Sequence, residues 1–348
     1  MSWLNFDDED DVPYAEYADH AVRERPNPKA NRPRTKRRPD HADSVTGMVT
    51  GVDRGRYAVL VAEGADPEDR REREIVAARA RELRRTSIVI GDRVQLVGDT
   101  SGAEGSLARI VTVGERRTLL RRSADDTDRV ERVVVANADQ MLIVVASANP
   151  EPRVRLVDRY LVAAYDAGIA PLICITKTDL ADPEPFLAHF SALEVPVFRS
   201  APGAEPLAAI RLALAGHTTV FVGHSGVGKS TLINALVPDA GRATGHVNEV
   251  TGRGRHTSSS SVALRVTTPA GDGWVVDTPG VRSFGLGHVT SEGILRGFTD
   301  LAELIDHCPR GCSHQEDAPD CELDAAIADG RLDAVGAARV ESLRRLLH

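Results

Sequence analysis

The sequence is short of several things, and each shortage excludes something. It has four cysteines in 348 residues. Three of them crowd together near the C-terminus, which is too few and too clustered for a secreted disulfide scaffold. No apolar run approaches the roughly 18 residues a bilayer span needs. The N-terminus, MSWLNFDDEDD, is acidic and lacks the charged-then-apolar pattern of a secretory signal, so the expected compartment is the cytoplasm, with no membrane partner. Lysine is scarcest of all. Of 43 basic side chains only four are lysine: Lys29, Lys36, Lys177 and Lys229. A chain so biased toward arginine keeps lysine where a slim point charge on a flexible stem fits and a planar fork does not.

What is present reads as two or three domains, with an ordinary apolar fraction of 42%. Net charge is -8, but it is unevenly spread: Ala21 to Arg38 holds eight basic residues and one acidic one. Residues 1–43 offer little to bury and read as a disordered basic arm, either a solvated tail or a segment that binds RNA phosphates. From Ser44 to Val113, VTGMVTGVDRGRYAVLVAEG, TSIVIGDRVQLVG and LARIVTVG alternate short strands with Gly-rich turns. That suits a five-stranded barrel of the oligonucleotide-binding (OB) type. Arginines are dense at Arg79, Arg81, Arg84 and Arg85, and again at Arg116, Arg117, Arg121 and Arg122. They suit an RNA backbone, or else a charged edge that deters strand pairing.

From about Gly114 to residue 284 the pattern becomes an α/β doubly wound sheet. DQMLIVVAS, PLICIT, VPVFRS, TTVFVG and GWVVDT read as buried strands. VDRYLVAAYDAG reads as a crossover helix stopped by Gly168, and Cys174 as a buried strand residue. Residues 285–348 read as helical and acidic, interrupted by CPRGCSHQEDAPDC and closed by an amphipathic segment, RLDAVGAARVESLRRLL.

Within the α/β region GHSGVGKST, from Gly223 through His224, Ser225, Gly226, Val227, Gly228, Lys229 and Ser230 to Thr231, matches G-x4-G-K-S between a strand and a helix. Its amides and the helix N-terminus would cradle phosphates, Lys229 would reach the β and γ phosphates, and Ser230 would bind Mg²⁺. Asp277-Thr278-Pro279-Gly280 ends the next strand, where Asp277 would hold Mg²⁺ and the Gly280 amide would sense the γ-phosphate. Thr176-Lys177-Thr178-Asp179 follows PLICI. There the Asp179 carboxylate would pair with the two N–H donors of guanine, Lys177 would cover the base, and the Thr176 hydroxyl must supply the bracing that asparagine more commonly gives. Ser200-Ala201, after the following strand, suits a last backbone contact to the base. In TGRGRHTSSS, Thr257 is a candidate second hydroxyl on Mg²⁺, unless this is a plain Ser/Thr loop. His256 is a candidate water-polarising group, unless merely solvated. Val281, after Gly280, cannot orient water as glutamine does, so slow intrinsic turnover is expected.

The guanine motif precedes the phosphate loop, the reverse of ordinary GTPases, so the nucleotide domain reads as circularly permuted. Cys308, Cys312, His314 and Cys321 offer three thiolates and an imidazole within a short span, a set suited to one structural Zn²⁺, with His307 as an adjacent alternative.

Taken together, the barrel, RRTLLRRSADD (Arg116 to Asp126), the permuted motif order, GHSGVGKST, GRGRHTS, DTPGVRSF and the Cys/His cluster resemble the ribosome small-subunit-dependent GTPase A (RsgA/YjeQ) family from about Ser44 onward. The sequence departs from some relatives in its leading Thr176 and in its cysteine spacing. The resemblance implies three domains: an OB barrel (44–113), a permuted GTPase (114–284) and a zinc-bearing helical domain (285–348). The motifs themselves call for GTP and Mg²⁺ as ligands, a monomer is expected, and the resemblance implies the small ribosomal subunit with its rRNA as partner. The implied activity is GTP hydrolysis, stimulated by that subunit, during the subunit's late maturation.

Overall fold

In a computed structural model, the structure describes residues 43–63, 71–83, 86–123, 131–238, 261–278 and 289–347. The basic N-terminal arm, Arg84, Arg85, His256, Thr257, Gly280 and Val281 lie outside these residues.

The first five strands are β1 (Val45–Asp53), β2 (Arg56–Glu63), β3 (Arg71–Arg79), β4 (Arg93–Gly98) and β5 (Ala108–Val113). Hydrogen-bonded neighbours run β1-β2-β3-β5-β4, and β4 pairs back onto β1, so the sheet closes into a five-stranded barrel. Closure removes the free edges that an open sheet would present. The turn between β1 and β2 is the two-residue Arg54–Gly55, both with positive φ, which matches the right-handed twist of the strands it joins. Val49, Val59, Val61, Ile75, Val94, Leu96 and Ile110 fill the interior. Strand β3, REREIVAAR, is absent from the three apolar runs read above. Its charges cluster at its two ends, and among its described side chains only Ile75 and Ala77 turn inward to full burial.

A hairpin of β6 (Leu119–Ser123) and β7 (Glu131–Ala136) comes next, before the α/β pattern begins. It is fixed to the barrel by Arg116, whose guanidinium donates to both carboxylate oxygens of the fully buried Asp92, at 2.7 and 2.8 Å. Arg116 is therefore committed inside the protein rather than available to an RNA backbone. Arg117 is exposed and Arg121 and Arg122 are half-buried.

The α/β sheet contains β8 (Gln140–Ala146), β9 (Ala170–Thr176), β10 (Val197–Arg199), β11 (Thr218–Val222), β12 (Val262–Val266) and β13 (Gly273–Asp277). Their spatial order is β10-β9-β8-β11-β13-β12, parallel except for β12. Side-chain alternation gives each face its own core. Ile143, Val145, Ile173 and Val220 face helix α1 (Val154–Asp166). Leu142, Val144, Leu172, Cys174 and Phe221 face α3 (Leu207–Leu214) and α4 (Lys229–Leu236). The sheet is thus doubly wound, with a short α2 (Glu184–Leu187) after the guanine motif. Helix α1 ends where Gly168 (φ 67°) turns left-handed: Gly168 N–H donates to Tyr165 O and Ile169 N–H to Ala164 O, a Schellman cap.

The C-terminal helices are α5 (Ser291–Leu295), α6 (Ala302–Asp306), α7 (Glu322–Ala328) and α8 (Ala334–Leu347). They have no core of their own. Leu323, Val340, Leu343 and Leu346 join the same apolar cluster as Tyr160, Leu161 and Phe190 of the α/β unit. At the opposite edge β12 meets the barrel, with Gly51 of β1 opposite Val262. Arg265 adds an ion pair to Glu72 while its guanidinium lies 5.0 Å from the Trp274 ring.

Candidate nucleotide and metal sites

Three strand ends converge on one edge of the α/β sheet, at the C-terminal side of its parallel strands, where open α/β sheets place their ligands. The phosphate loop connects β11 to α4. Gly223 is required by close approach: a Cβ there would sit 2.5 Å from Val144 O. Gly228, the residue before α4, has φ 92°, a left-handed conformation that a side chain would strain. His224, Ser225, Gly226, Ser230 and Thr231 are exposed while Val227 is buried, so the loop is anchored at one point and open elsewhere. Lys229 opens α4 and its ammonium pairs with Asp277 at the end of β13. Next to Asp277, Thr278 is buried, with its hydroxyl 3.4 Å from Phe221 O.

The guanine-type loop after β9 is tied to the phosphate loop side chain by side chain. Thr176 is buried and its hydroxyl lies 2.5 Å from Val227 O. Lys177 donates to Gly226 O at 2.8 Å and also to Asn149 O. Thr178 donates its N–H to Ser200 O at 3.2 Å, bringing Ser200-Ala201 beside the motif. Asp179 is exposed, so its carboxylate is available to a base arriving from solvent. Ser147 donates its hydroxyl to Lys177 O at 2.5 Å. Sequence reading overlooked Ser147 and Asn149. Their position just beyond the end of β8, beside the phosphate-loop strand, was the signal that could have revealed them.

About 70 Å³ of cavity lies behind the phosphate loop, lined by Val144, Pro150, Leu156, Val157, His224 and Val227 among others. It is apolar and belongs to the packing that supports the loop.

Farther along the chain, Cys308 follows α6, Cys312 and His314 lie in the next loop, and Cys321 caps α7. Their Sγ and imidazole nitrogen atoms all lie within 4.8 Å of one another. Ligands about 2.3 Å from a common tetrahedral centre require this order of spacing. The environment fits a metal. His314 is buried, with Nδ1 lacking a hydrogen-bond partner, and the Cys312 sulfur accepts the His314 N–H at 3.4 Å. Burial, and then Arg344, hold the imidazole below its ordinary pKa and hence neutral. Burial pushes the Cys308 thiol up to about 11, a shift a bound cation would reverse. His307 stands outside the cluster, its Nδ1 2.5 Å from Glu303 O. Among the described residues no helix is long and apolar enough to cross a membrane.

Residues 113–287 match the model of the RsgA GTPase family. A relative named small ribosomal subunit biogenesis GTPase RsgA, from Pseudomonas aeruginosa (strain PAO1), is 39% identical over 254 residues, covering 71% of this chain and 72% of the relative. The chain belongs to the RsgA GTPase family. The RsgA of Azotobacter vinelandii is 37% identical over 269 residues, 75% of this chain and 74% of its own length. Two solved structures share the fold at 24% identity. YjeQ from Thermotoga maritima has a TM-score of 0.59 and covers 87% of this chain and 97% of its own. YloQ, described as a circularly permuted GTPase, has a TM-score of 0.58 and covers 89% and 97%. The topology agrees with that description: β9, which leads into Thr176-Lys177-Thr178-Asp179, precedes the phosphate-loop strand β11 in sequence and lies one strand, β8, away from it in the same parallel sheet.

Proposed function

We propose that the protein hydrolyses GTP to GDP and phosphate while bound to the small ribosomal subunit, acts in the late maturation of that subunit, and is stimulated by it. The observation that carries this reading is the bracing of one phosphate loop from both sides. Lys229 pairs with Asp277 on one side, and Thr176 and Lys177 hold Val227 and Gly226 on the other. The site therefore unites a phosphate cradle with a carboxylate for guanine. The names of the relatives supply the ribosomal partner.

The exposed backbone of Ser225, Gly226 and Ser230 would donate to phosphate oxygens, aided by the positive end of α4. Lys229 would leave Asp277 for the β and γ phosphates. Ser230 and Asp277 offer a hydroxyl and a carboxylate, hard oxygen ligands of the kind Mg²⁺ takes, and Thr257 would be a further one. Mg²⁺, when bound with the nucleotide, neutralises developing phosphate charge. Asp179 would select guanine through its two N–H donors, with Lys177 over the base and Ser200-Ala201 closing the far side. The Gly280 amide would sense the γ-phosphate and His256 would polarise the attacking water. Cys308, Cys312, His314 and Cys321 would hold one Zn²⁺. Four protein ligands leave no open position, so that ion's role is structural. The barrel over 44–113 and the helices over 285–348 would contact rRNA on either side of the permuted GTPase domain over 114–284. The protein would act as a cytoplasmic monomer.

The test is GTP turnover with no ribosomal particles, with isolated small subunits and with isolated large subunits, using Lys229→Ala as the inactive control. Stimulation by small subunits alone is expected. Stimulation only by large subunits would assign the protein to another assembly step, and binding without turnover in every arm would make it a GTP-gated RNA-binding module.

A further inference from the structure

The hydroxyl of Thr176 has two neighbours, and both are backbone carbonyl oxygens: Val227 O at 2.5 Å and Val145 O at 3.2 Å. A carbonyl only accepts, and a hydroxyl has a single proton to give. That proton therefore goes to the protein, and the shorter distance assigns it to the phosphate loop. The rest of the side chain is committed too: Thr176 is buried, and a Cβ added at Gly228 would lie 3.7–3.8 Å from its Cβ, methyl and hydroxyl. The neighbouring hydroxyls are spent in the same way, Ser147 on Lys177 O at 2.5 Å and Thr178 on Ser200 O at 3.3 Å. An asparagine at position 176 would carry two amide protons, one for Val227 O and one to spare.

Guanine carries acceptors at N7 and O6 on the edge away from its Watson–Crick donors. We propose that this site leaves guanine N7 without a hydrogen bond, and that Thr176 is a positioning residue for the phosphate loop rather than a reader of the base. The inference rests on the guanine reading given above. Specificity then comes from Asp179 on the Watson–Crick edge and from backbone groups, and guanine analogues altered at N7 are accepted as readily as the natural base.

The experiment is a competition titration of the full chain with GDP, 7-deaza-GDP, IDP and ADP. The deaza analogue replaces N7 by C–H and keeps every other donor and acceptor. Wild type should bind 7-deaza-GDP within about twofold of GDP, since no hydrogen bond is lost. Thr176→Asn should bind GDP roughly three- to tenfold tighter and prefer it to 7-deaza-GDP by the same factor, the worth of one added hydrogen bond. Thr176→Val should weaken GDP and 7-deaza-GDP equally, and Thr176→Ser should restore both. A wild-type preference for GDP over 7-deaza-GDP of roughly threefold or more, with IDP and ADP still rejected, overturns the proposal. Loss of that preference in Asn149→Ala would then assign the contact to the exposed Asn149 carboxamide. IDP or ADP binding as tightly as GDP would instead defeat the guanine reading itself. Should Thr176→Asn fail to fold, the wild-type ratio alone decides.

Discussion

Replacing Arg339 by methionine should loosen the C-terminal helices from the α/β unit. Arg339 is 7% exposed. It donates to Ala192 O at 2.6 Å, Gly297 O at 3.0 Å and Asp300 Oδ2 at 2.5 Å, and lies 4.9 Å from the Phe298 ring. Ala192 belongs to the 3₁₀ turn Ala188–Leu193 of the α/β unit, so this one side chain ties α8 to a segment 147 residues earlier. Methionine fills similar space but donates nothing. Two carbonyls lose a charged donor, and the Asp300 carboxylate, 44% exposed, falls back on solvent. Losing the two charged hydrogen bonds to carbonyls costs about 1.5–3 kcal/mol each. Roughly 300 folded residues unfold with an entropy near 0.6 kcal/mol/K, so about 4 kcal/mol lowers Tm by about 6 °C. Calorimetry would measure this, and hydrogen exchange should place the added exposure in α8 and the Ala188–Leu193 turn. A Tm change under about 2 °C would show that apolar packing alone docks the helix, and the reasoning would be wrong.

Asp179→Asn should lower GTP affinity roughly 10- to 150-fold, the worth of a charge-assisted pair, and shift preference to xanthine nucleotides because the amide reverses the donor pattern. Unchanged GTP preference by titration would refute the guanine assignment. Chelation of the metal should raise exchange across Ala302–Ala328 while GDP still binds and α8 stays protected, since Val340, Leu343 and Leu346 are anchored in the shared core. Loss of GDP binding on chelation would contradict this. The Asp158 carboxyl titrates above its ordinary 3.8, because burial disfavours its charge more than Arg345 restores it. The folded state thus holds the proton more tightly than the unfolded chain, so this group's stabilisation is fullest below pH 3.8 and is lost as pH rises through the folded pKa. Asp158→Asn should therefore be at least as stable as wild type at neutral pH, with the gap closing in acid. Urea melts across that range that show a clearly weaker variant at neutral pH would reverse the sign.

Much of the candidate site was legible because its chemistry lies in short contiguous segments. Gly223, Gly228 and Lys229 sit at fixed spacing after an apolar strand. Cys308, Cys312, His314 and Cys321 are near neighbours in sequence and become neighbours in space through two turns. The barrel was legible from three of its runs, but β3 was hidden. A strand that offers only Ile75 and Ala77 to the core carries too little apolar periodicity to stand out among charges. The hairpin β6–β7 escaped for a similar reason: Arg121 and Arg122 interrupt its apolar face. Arg116 falls in sequence among the surface arginines, and nothing local distinguishes it from Arg117. Only the buried carboxylate of Asp92, 24 residues away, does so.

The sequence by itself determined the nucleotide chemistry, the metal-type ligand set and the permuted order of the motifs. Each depends on residue type and spacing along the chain, and glycine, lysine and cysteine have few substitutes in those roles. Tertiary structure alone decided where the donors are spent. It committed the Thr176 proton to Val227 O, the Lys177 ammonium to Gly226 and Asn149, and Arg339 to Ala192 on one segment and to Gly297 and Asp300 on another. It also merged the C-terminal helices into the α/β core, because the apolar faces of α5 and α8 are buried in part against α1 and the Ala188–Leu193 turn. Hydrogen bonds and burial are settled by proximity, and proximity between distant segments follows from how the chain packs rather than from local spacing.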